Sequence, residues 1–196
     1  MTGKPRSSLR LLSSLALLLT AVVADAALCV WRQPDSDIAG IFGKGSYKTV
    51  FQDITPAQRQ RIEKRLGFAL DADETQFKFF PVFQGRRQVG TVMTHAGKGQ
   101  FGAIEVVVAV VPTDSGVAVR EVRVQRDREK AKAALRGARF LNQFKGMTAG
   151  SDFTLGRRVK TAASGAEKAS QSIASAVRKM LVVHDELGIG VDGAVK

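Results

Sequence analysis

A chain of 196 residues with a formal charge of +12 and a pI near 10.3 is long enough for one domain with a sizeable core. A single cysteine, Cys29, excludes a disulfide framework or a cysteine-based metal site, and two histidines, His95 and His184, are too few for a metal cluster without carboxylate help. Positive residues are scattered rather than gathered in a stripe, and the 7% of aromatic residues are mostly Phe inside apolar patterns, which argues against nucleic acid as a partner.

The chain starts with Lys4, Arg6 and Arg10, followed by an apolar run over residues 11–23 broken only by Ser13, Ser14 and Thr20. Ala24-Asp25-Ala26 then supplies small residues where a signal peptidase reads. The run is shorter than the ~20 residues of a membrane span. Residues 1–26 therefore read as a cleaved signal peptide, with a retained N-terminal anchor as the alternative. On an exported protein the positive charge suits an anionic membrane surface or an acidic redox partner, and equally a solvated surface with no charged partner.

Residues 27–72 form a lead-in and a helix. Residues 27–50, with Trp31, Pro34 and three glycines, show weak periodicity and read as irregular. Thr55 caps a helix over residues 56–66, Pro56 takes its first position, Gln58 closes a capping box and Gly67 stops it. Ile62 and Leu66 give it a narrow apolar seam, with Arg59, Arg61, Lys64 and Arg65 crowding the other face.

Strands follow. Phe77, Phe79 and Phe83 share one face, and Pro81 argues for an edge strand. After a turn at Gly85-Arg86-Arg87, residues 89–94 return, and the glycine-rich stretch Gly97-Lys98-Gly99-Gln100-Phe101-Gly102 reads as a loop. Residues 104–111 are almost wholly apolar, as in a strand buried on both faces. Pro112-Thr113-Asp114-Ser115-Gly116 is a hairpin turn. In residues 117–125, Val117 and Val119 have one parity and Val122 and Val124 the other, which predicts a bulge near Arg120-Glu121. Strands joined by such short turns make an antiparallel sheet, and the fold class is α+β.

A basic helical segment after Arg126 leads through Gly137 into Arg139-Phe140-Leu141-Asn142-Gln143-Phe144-Lys145-Gly146. The last helix opens at Thr161-Ala162-Ala163-Ser164-Gly165-Ala166-Glu167-Lys168-Ala169-Ser170. Ala166, Ala169, Ile173, Ala176, Val177, Met180 and His184 recur at helical steps as one apolar stripe. Ser164 is expected to be the N-cap, with Glu167 completing a capping box. Gly165 allows close approach to a first turn whose free N–H groups and positive dipole end suit an anion, and Arg157, Arg158 and Lys160 lie just upstream. His184 is expected to pack near the helix end.

The Ser164-Gly165-Ala166 stretch, followed by a Ser-rich amphipathic helix, resembles the S-G-A-T-x-T/S motif of the FMN-binding domain family, which includes periplasmic subunits of ion-pumping NADH:quinone and ferredoxin-linked reductases. The Phe140-Leu141-Asn142-Gln143-Phe144-Lys145-Gly146 stretch and the order of elements over residues 77–183 are similar to that family too. In that motif a threonine is esterified by the FMN phosphate; here Glu167 stands at its position, Ala169 stands at a second usual hydroxyl position, and Thr161 replaces an aspartate. The resemblance implies an FMN-binding-like domain over residues 73–190 with FMN against the sheet and its phosphate at the last helix's N-terminus, while the departure at Glu167 makes any bound flavin non-covalent. Ser164, Gly165, Ala166, Glu167, Ser170, Lys160 and Arg158 would then surround the phosphate. Gly97, Gly99 and Gly102 form either an ordinary hairpin loop or a close backbone approach to the flavin ring, with Lys98 or Gln100 in reach. Phe140, Leu141 and Phe144 are expected in the core.

No Walker pattern, Ser/His/Asp set or paired-carboxylate motif points to a hydrolase or transferase. The functional expectation is an exported, periplasmic electron-transfer flavoprotein that meets a redox partner protein or membrane complex. The alternative is a flavin-free binding or assembly subunit derived from the same domain.

Overall fold

The computed structural model describes residues 33–114 and 116–189; the expected signal peptide, Cys29 and Trp31 lie outside the described residues. In chain order the elements are α1 (Asp35–Phe42), β1 (Ser46–Tyr47), β2 (Val50–Asp53), α2 (Pro56–Leu66), β3 (Gln76–Gln84), β4 (Arg87–Lys98), β5 (Ala103–Thr113) and β6 (Gly116–Arg126). Then come the short α3 (Lys132–Arg136) and α4 (Ala138–Leu141), a 3-10 turn at Asn142–Phe144, and the long α5 (Glu167–Leu187). The fold is α+β, with one six-stranded antiparallel sheet in the order β1-β3-β4-β5-β6 and β2 also paired to β3. Among the described residues no helix is long and apolar enough to cross a membrane.

Both faces of the sheet are covered, and β5 shows it residue by residue. Ile104, Val106, Val108 and Val110 join the main core under α5, whereas Val107 and Ala109 point into a second cluster with Ile38, Ile41 and Phe42 of α1. That alternation between two apolar layers is why the strand reads as an unbroken apolar run. α1 itself corrects the expectation of an irregular lead-in. Its apolar positions Ile38, Ile41 and Phe42 follow helical spacing, but over too few residues for a periodic signal.

The bulge in β6 falls where the parity change puts it. Ala109 pairs with Glu121 and Val110 with Val119, so Arg120 is the extra residue. The slip turns Val119, Val122 and Val124 onto the same buried face despite their opposite parity. Beyond the bulge, Val119 exchanges backbone hydrogen bonds with the segment after α4: its N–H donates to Met147 O (2.8 Å), and Gly146 N–H donates to its carbonyl (2.8 Å).

Two strand expectations are corrected. Pro81 does not mark an edge strand, because β3 pairs with β4 on one side and with β1 and β2 on the other. β1 meets Tyr47↔Val82 and β2 begins at Val50↔Phe79, so proline sits at the gap between the two short strands. Phe83 does not share the core face of Phe77 and Phe79. A register shift between Val82 and Phe83 breaks the alternation, and Phe83 lies half-buried with Lys48 Nζ 5.5 Å from its ring centre.

α2 follows its local signals: Thr55 Oγ1 accepts from Gln58 N–H (3.2 Å), Gln58 Oε1 accepts from Thr55 N–H (2.9 Å), and Gly67 closes the helix in a left-handed conformation. Its basic face is tied to the end of α5. Arg65 meets Asp185 (2.6 Å) and Glu186 (3.2 Å), Arg61 also meets Glu186, and Arg178 donates to the carbonyls of Arg65 (2.6 Å) and Leu66 (3.0 Å). α5 crosses β4, β5 and β6, sinking Ile173, Val177 and Leu181 fully into the core. At its crossing of β4 the helix comes close to Gly97: a Cβ there would lie 2.3 Å from Ser172 Oγ, which would have to move.

Candidate functional site

The head of α5 is built by side chains that pin the preceding segment. Gln143 clamps Lys160 from both sides, its Oε1 accepting from Lys160 N–H (2.8 Å) and its Nε2 donating to Lys160 O (3.2 Å). Two residues on, Ala162 N–H donates to the hydroxyl of Ser170 (3.1 Å), which is fully buried under the first turns of the helix. The chain then turns through Gly165, whose φ of +76° favours glycine, with Ala166 N–H bonded to Ala163 O (3.2 Å).

The helix begins at Glu167, not at Ser164. Ala166 is the residue before the first turn and brings no side-chain cap, so the expected capping box does not form. Glu167 stands at the first helical position instead of the third, and its Oε1 accepts from Gly165 N–H (3.1 Å). The carboxylate still faces the positive end of the helix, which favours it there. Ser164, freed from capping, is exposed at the surface.

Two clefts meet at Ser164. The first, about 640 Å³, is lined by Arg139, Phe140, Gln143, Lys160 and Thr161 as well as Ser164. The second, about 420 Å³, is lined by Gln100, Phe101, Glu129, Lys130 and Gly165 with Ser164 again. Phe140 and Phe144 are core residues in edge-to-face contact (5.5 Å, 87°), and Phe140 also forms part of the first cleft's wall. Leu141 is only half-buried, against the core's margin.

The second cleft owes its shape to a carboxylate. β4 runs on to Lys98, so the glycine-rich stretch is shorter as a loop than expected, with Gly99 N–H closing on Gly102 O (2.8 Å). Glu129 Oε1 accepts from Gln100 N–H (2.8 Å) and Phe101 N–H (3.0 Å), filling the concavity of the turn. Any Cβ on Gly99 would sit 2.2 Å from that same oxygen. Glu129 is itself held: its N–H donates to Asp127 Oδ1 (3.0 Å), and Asp127 Oδ2 takes Arg136 Nε (2.8 Å) and Nη2 (2.6 Å). Phe101 is 41% exposed, and Lys130 Nζ lies 5.0 Å from its ring centre.

Comparison with family models and with curated proteins finds no match to this chain.

The structure therefore brings Ser164, Gly165, Ala166 and Gln100 to one cleft and Lys160 to its neighbour. Other expected residues are placed elsewhere. Ser170 is buried as an acceptor for Ala162, Gly99 backs onto Glu129, and Gly97 belongs to helix packing. Arg158 is exposed and lines neither cleft, while Arg157 pairs at 3.7 Å with Asp152. Sequence reasoning missed Glu129 and Arg139. Glu129 is embedded in the alternating run Arg126-Asp127-Arg128-Glu129-Lys130, which reads as a solvated basic segment, and its partners lie in the β4–β5 turn.

A separate titratable cluster lies along α5. Lys179 Nζ bonds both carboxylate oxygens of Glu74 (2.8 and 2.9 Å), and His95 Nδ1 is 3.9 Å from Glu74. Burial, helped by the Lys179 charge and opposed by Asp71, lowers the pKa of His95 to about 3. Burial likewise lowers His184 to about 4; it packs edge-on to Phe79 (6.1 Å), and its Nε2 has no hydrogen-bond partner. Both stay neutral at ordinary pH. Lys179 lies twelve steps along the helix from Glu167, about 18 Å, so this cluster is not part of the clefts.

Proposed function

We propose that the protein holds flavin mononucleotide without a covalent bond at the head of α5 and serves as an exported electron-transfer component. The observation that carries the reading is the convergence on Ser164 of two clefts built from distant segments, one with Arg139 and Lys160 and one with the exposed ring of Phe101. Their sizes fall in the range of small-molecule sites. Arg139 and Lys160 suit a phosphate, which guanidinium groups bind through paired hydrogen bonds. Phe101 suits a flat ring.

Covalent attachment does not fit Glu167 or Ser170, the residues that stand at and near the acceptor position of the resembled motif. Glu167 brings a carboxylate, whose link to phosphate would be a labile mixed anhydride, and the hydroxyl of Ser170 is buried and already bonded. When bound, the flavin would supply the electron-carrying chemistry; the chain's own residues bind the phosphate, flank the ring and leave the site open to a partner. Export rests on the charged start and short apolar run, and the basic surface favours an acidic redox partner or an anionic membrane surface.

The flavin-free binding subunit remains a second reading because of one feature. Carboxylates of the protein already take backbone donors of the second cleft's lining, Glu167 that of Gly165 and Glu129 those of Gln100 and Phe101. Titrating the purified chain with FMN separates the two readings. The first expects quenching of flavin fluorescence that saturates and is weakened in an Arg139→Ala/Lys160→Ala variant. No binding with excess FMN, together with a colourless protein from its native exported location, favours the second.

A further inference from the structure

We infer that Glu129 recognises the N–H edge of the ring in the second cleft, so that this cleft selects planar heterocycles carrying an imide N–H. The inference rests on the flavin reading and adds the identity of the group that reads the ring. Holding the β4–β5 turn occupies only one of the two carboxylate oxygens, because Oε1 accepts from both Gln100 and Phe101. Among the described residues Oε2 has no bonded partner. Glu129 is only 4% exposed and lines the cleft, yet Oε2 is not among the sealed orphan atoms, which are Gln88 Oε1, Gln125 Oε1 and His184 Nε2. A largely buried carboxylate that is held in place, lines the cleft and keeps one oxygen unbonded but not sealed is an acceptor available to a ligand.

The surroundings fit a ring whose edge donates one hydrogen bond. The Asp127 carboxylate, bridging Glu129 N–H and Arg136, fixes the acceptor before any ligand arrives. Phe101 presents a ring face to stack on, and Lys130 beside it supplies positive charge for the carbonyls that flank an imide N–H. Phosphate is a poor occupant of this second cleft, because Glu129 would repel it; the neighbouring cleft with Arg139 and Lys160 suits the anionic end. The two clefts thus divide one ligand into an anionic tail and an N–H-bearing ring, meeting at Ser164.

The test compares FMN with N3-methyl-FMN, which keeps the phosphate and the ring plane but lacks the N–H. Titration of the full chain by flavin fluorescence should give at least about ten-fold tighter binding of FMN, the scale at which a buried polar group left unpaired discriminates. Glu129→Gln keeps an oxygen for the turn but offers an amide to the ring, so the preference should collapse to less than about three-fold. Phe101→Ala should weaken both ligands alike and leave the preference intact. Equal binding of the two flavins by the unaltered chain overturns the role of Glu129 while leaving the flavin site standing, and needs no variant to fold. Binding of neither flavin at millimolar concentration overturns the flavin reading itself.

Discussion

Gly97→Ala tests how closely α5 approaches the sheet. Gly97 is not in the left-handed region, so alanine is compatible with its backbone, and the only obstacle is the 2.3 Å approach of a Cβ to Ser172 Oγ. Without that contact the change would stabilise the protein by about 0.4–1 kcal/mol, because alanine restricts the unfolded chain. Overpacking costs about 1–3 kcal/mol, so the single variant should lose about 1–2 kcal/mol net. Once Ser172 is replaced by alanine, the next atoms, Ser172 O at 3.4 Å and Cβ at 3.6 Å, are at ordinary contact distance. The double variant Gly97→Ala/Ser172→Ala should therefore recover to within about 0.5 kcal/mol of the unaltered chain, with a coupling of about 1–2 kcal/mol. Urea unfolding of the four members of the cycle measures this. A neutral or stabilising single variant would refute the overpacking at this crossing, and a double variant as weak as the single would show that the backbone, not the hydroxyl, sets the limit.

Gln143→Ala removes the clamp on Lys160 and should lower stability by about 1–2 kcal/mol while raising hydrogen exchange at the Lys160 amide; unchanged protection there would show the clamp to be dispensable. Both histidine pKa values are depressed from 6.5, to about 3 for His95 and about 4 for His184. Below pH 6.5 the unfolded chain takes up protons that the folded chain refuses, so each histidine erodes stability as pH falls toward 4, by on the order of 1 kcal/mol per pH unit. His184→Leu should gain on the unaltered protein by that slope between pH 6.5 and 4, and parallel urea midpoints across that range would contradict it. Glu167→Thr with Thr161→Asp, exported beside a flavin transferase of the resembled family, should gain in-gel flavin fluorescence. A folded but unmodified double variant beside a modified control domain removes the resemblance's main support.

What the sequence disclosed depended on how local the signal was. Thr55, Pro56, Gln58 and Gly67 mark α2 because every partner lies within one or two turns. The parity switch from Val119 to Val122 located the bulge because only one inserted residue restores a common buried face. At the head of α5 the same local logic misfired. Ser164 and Glu167 have capping-box spacing, but Gly165 turns the chain and the helix starts two residues after it. The role of Glu129 was invisible because its acceptor function depends on the β4–β5 turn 28 residues upstream, and the close approach at Gly97 depends on a helix arriving from residue 172. The clefts were half legible: the Ser164-Gly165-Ala166 turn could be singled out, whereas Arg139 and Glu129 reach it only through tertiary folding.

The split outer strand beside β3 has a consequence for how copies of this protein coexist at high concentration. A sheet edge invites another chain to add a strand when it offers a long, regular row of unpaired peptide groups. Here one margin consists of two residues of β1 and four of β2, separated at Pro81, too short and too broken to template an added strand. The opposite margin, β6, is kinked at Arg120 and has Val119 already engaged by Gly146 and Met147. Among the described residues, then, the margin beside β3 is too broken to template a strand and the β6 margin is interrupted at its bulge, so intermolecular strand addition is disfavoured at the first and hindered at the second.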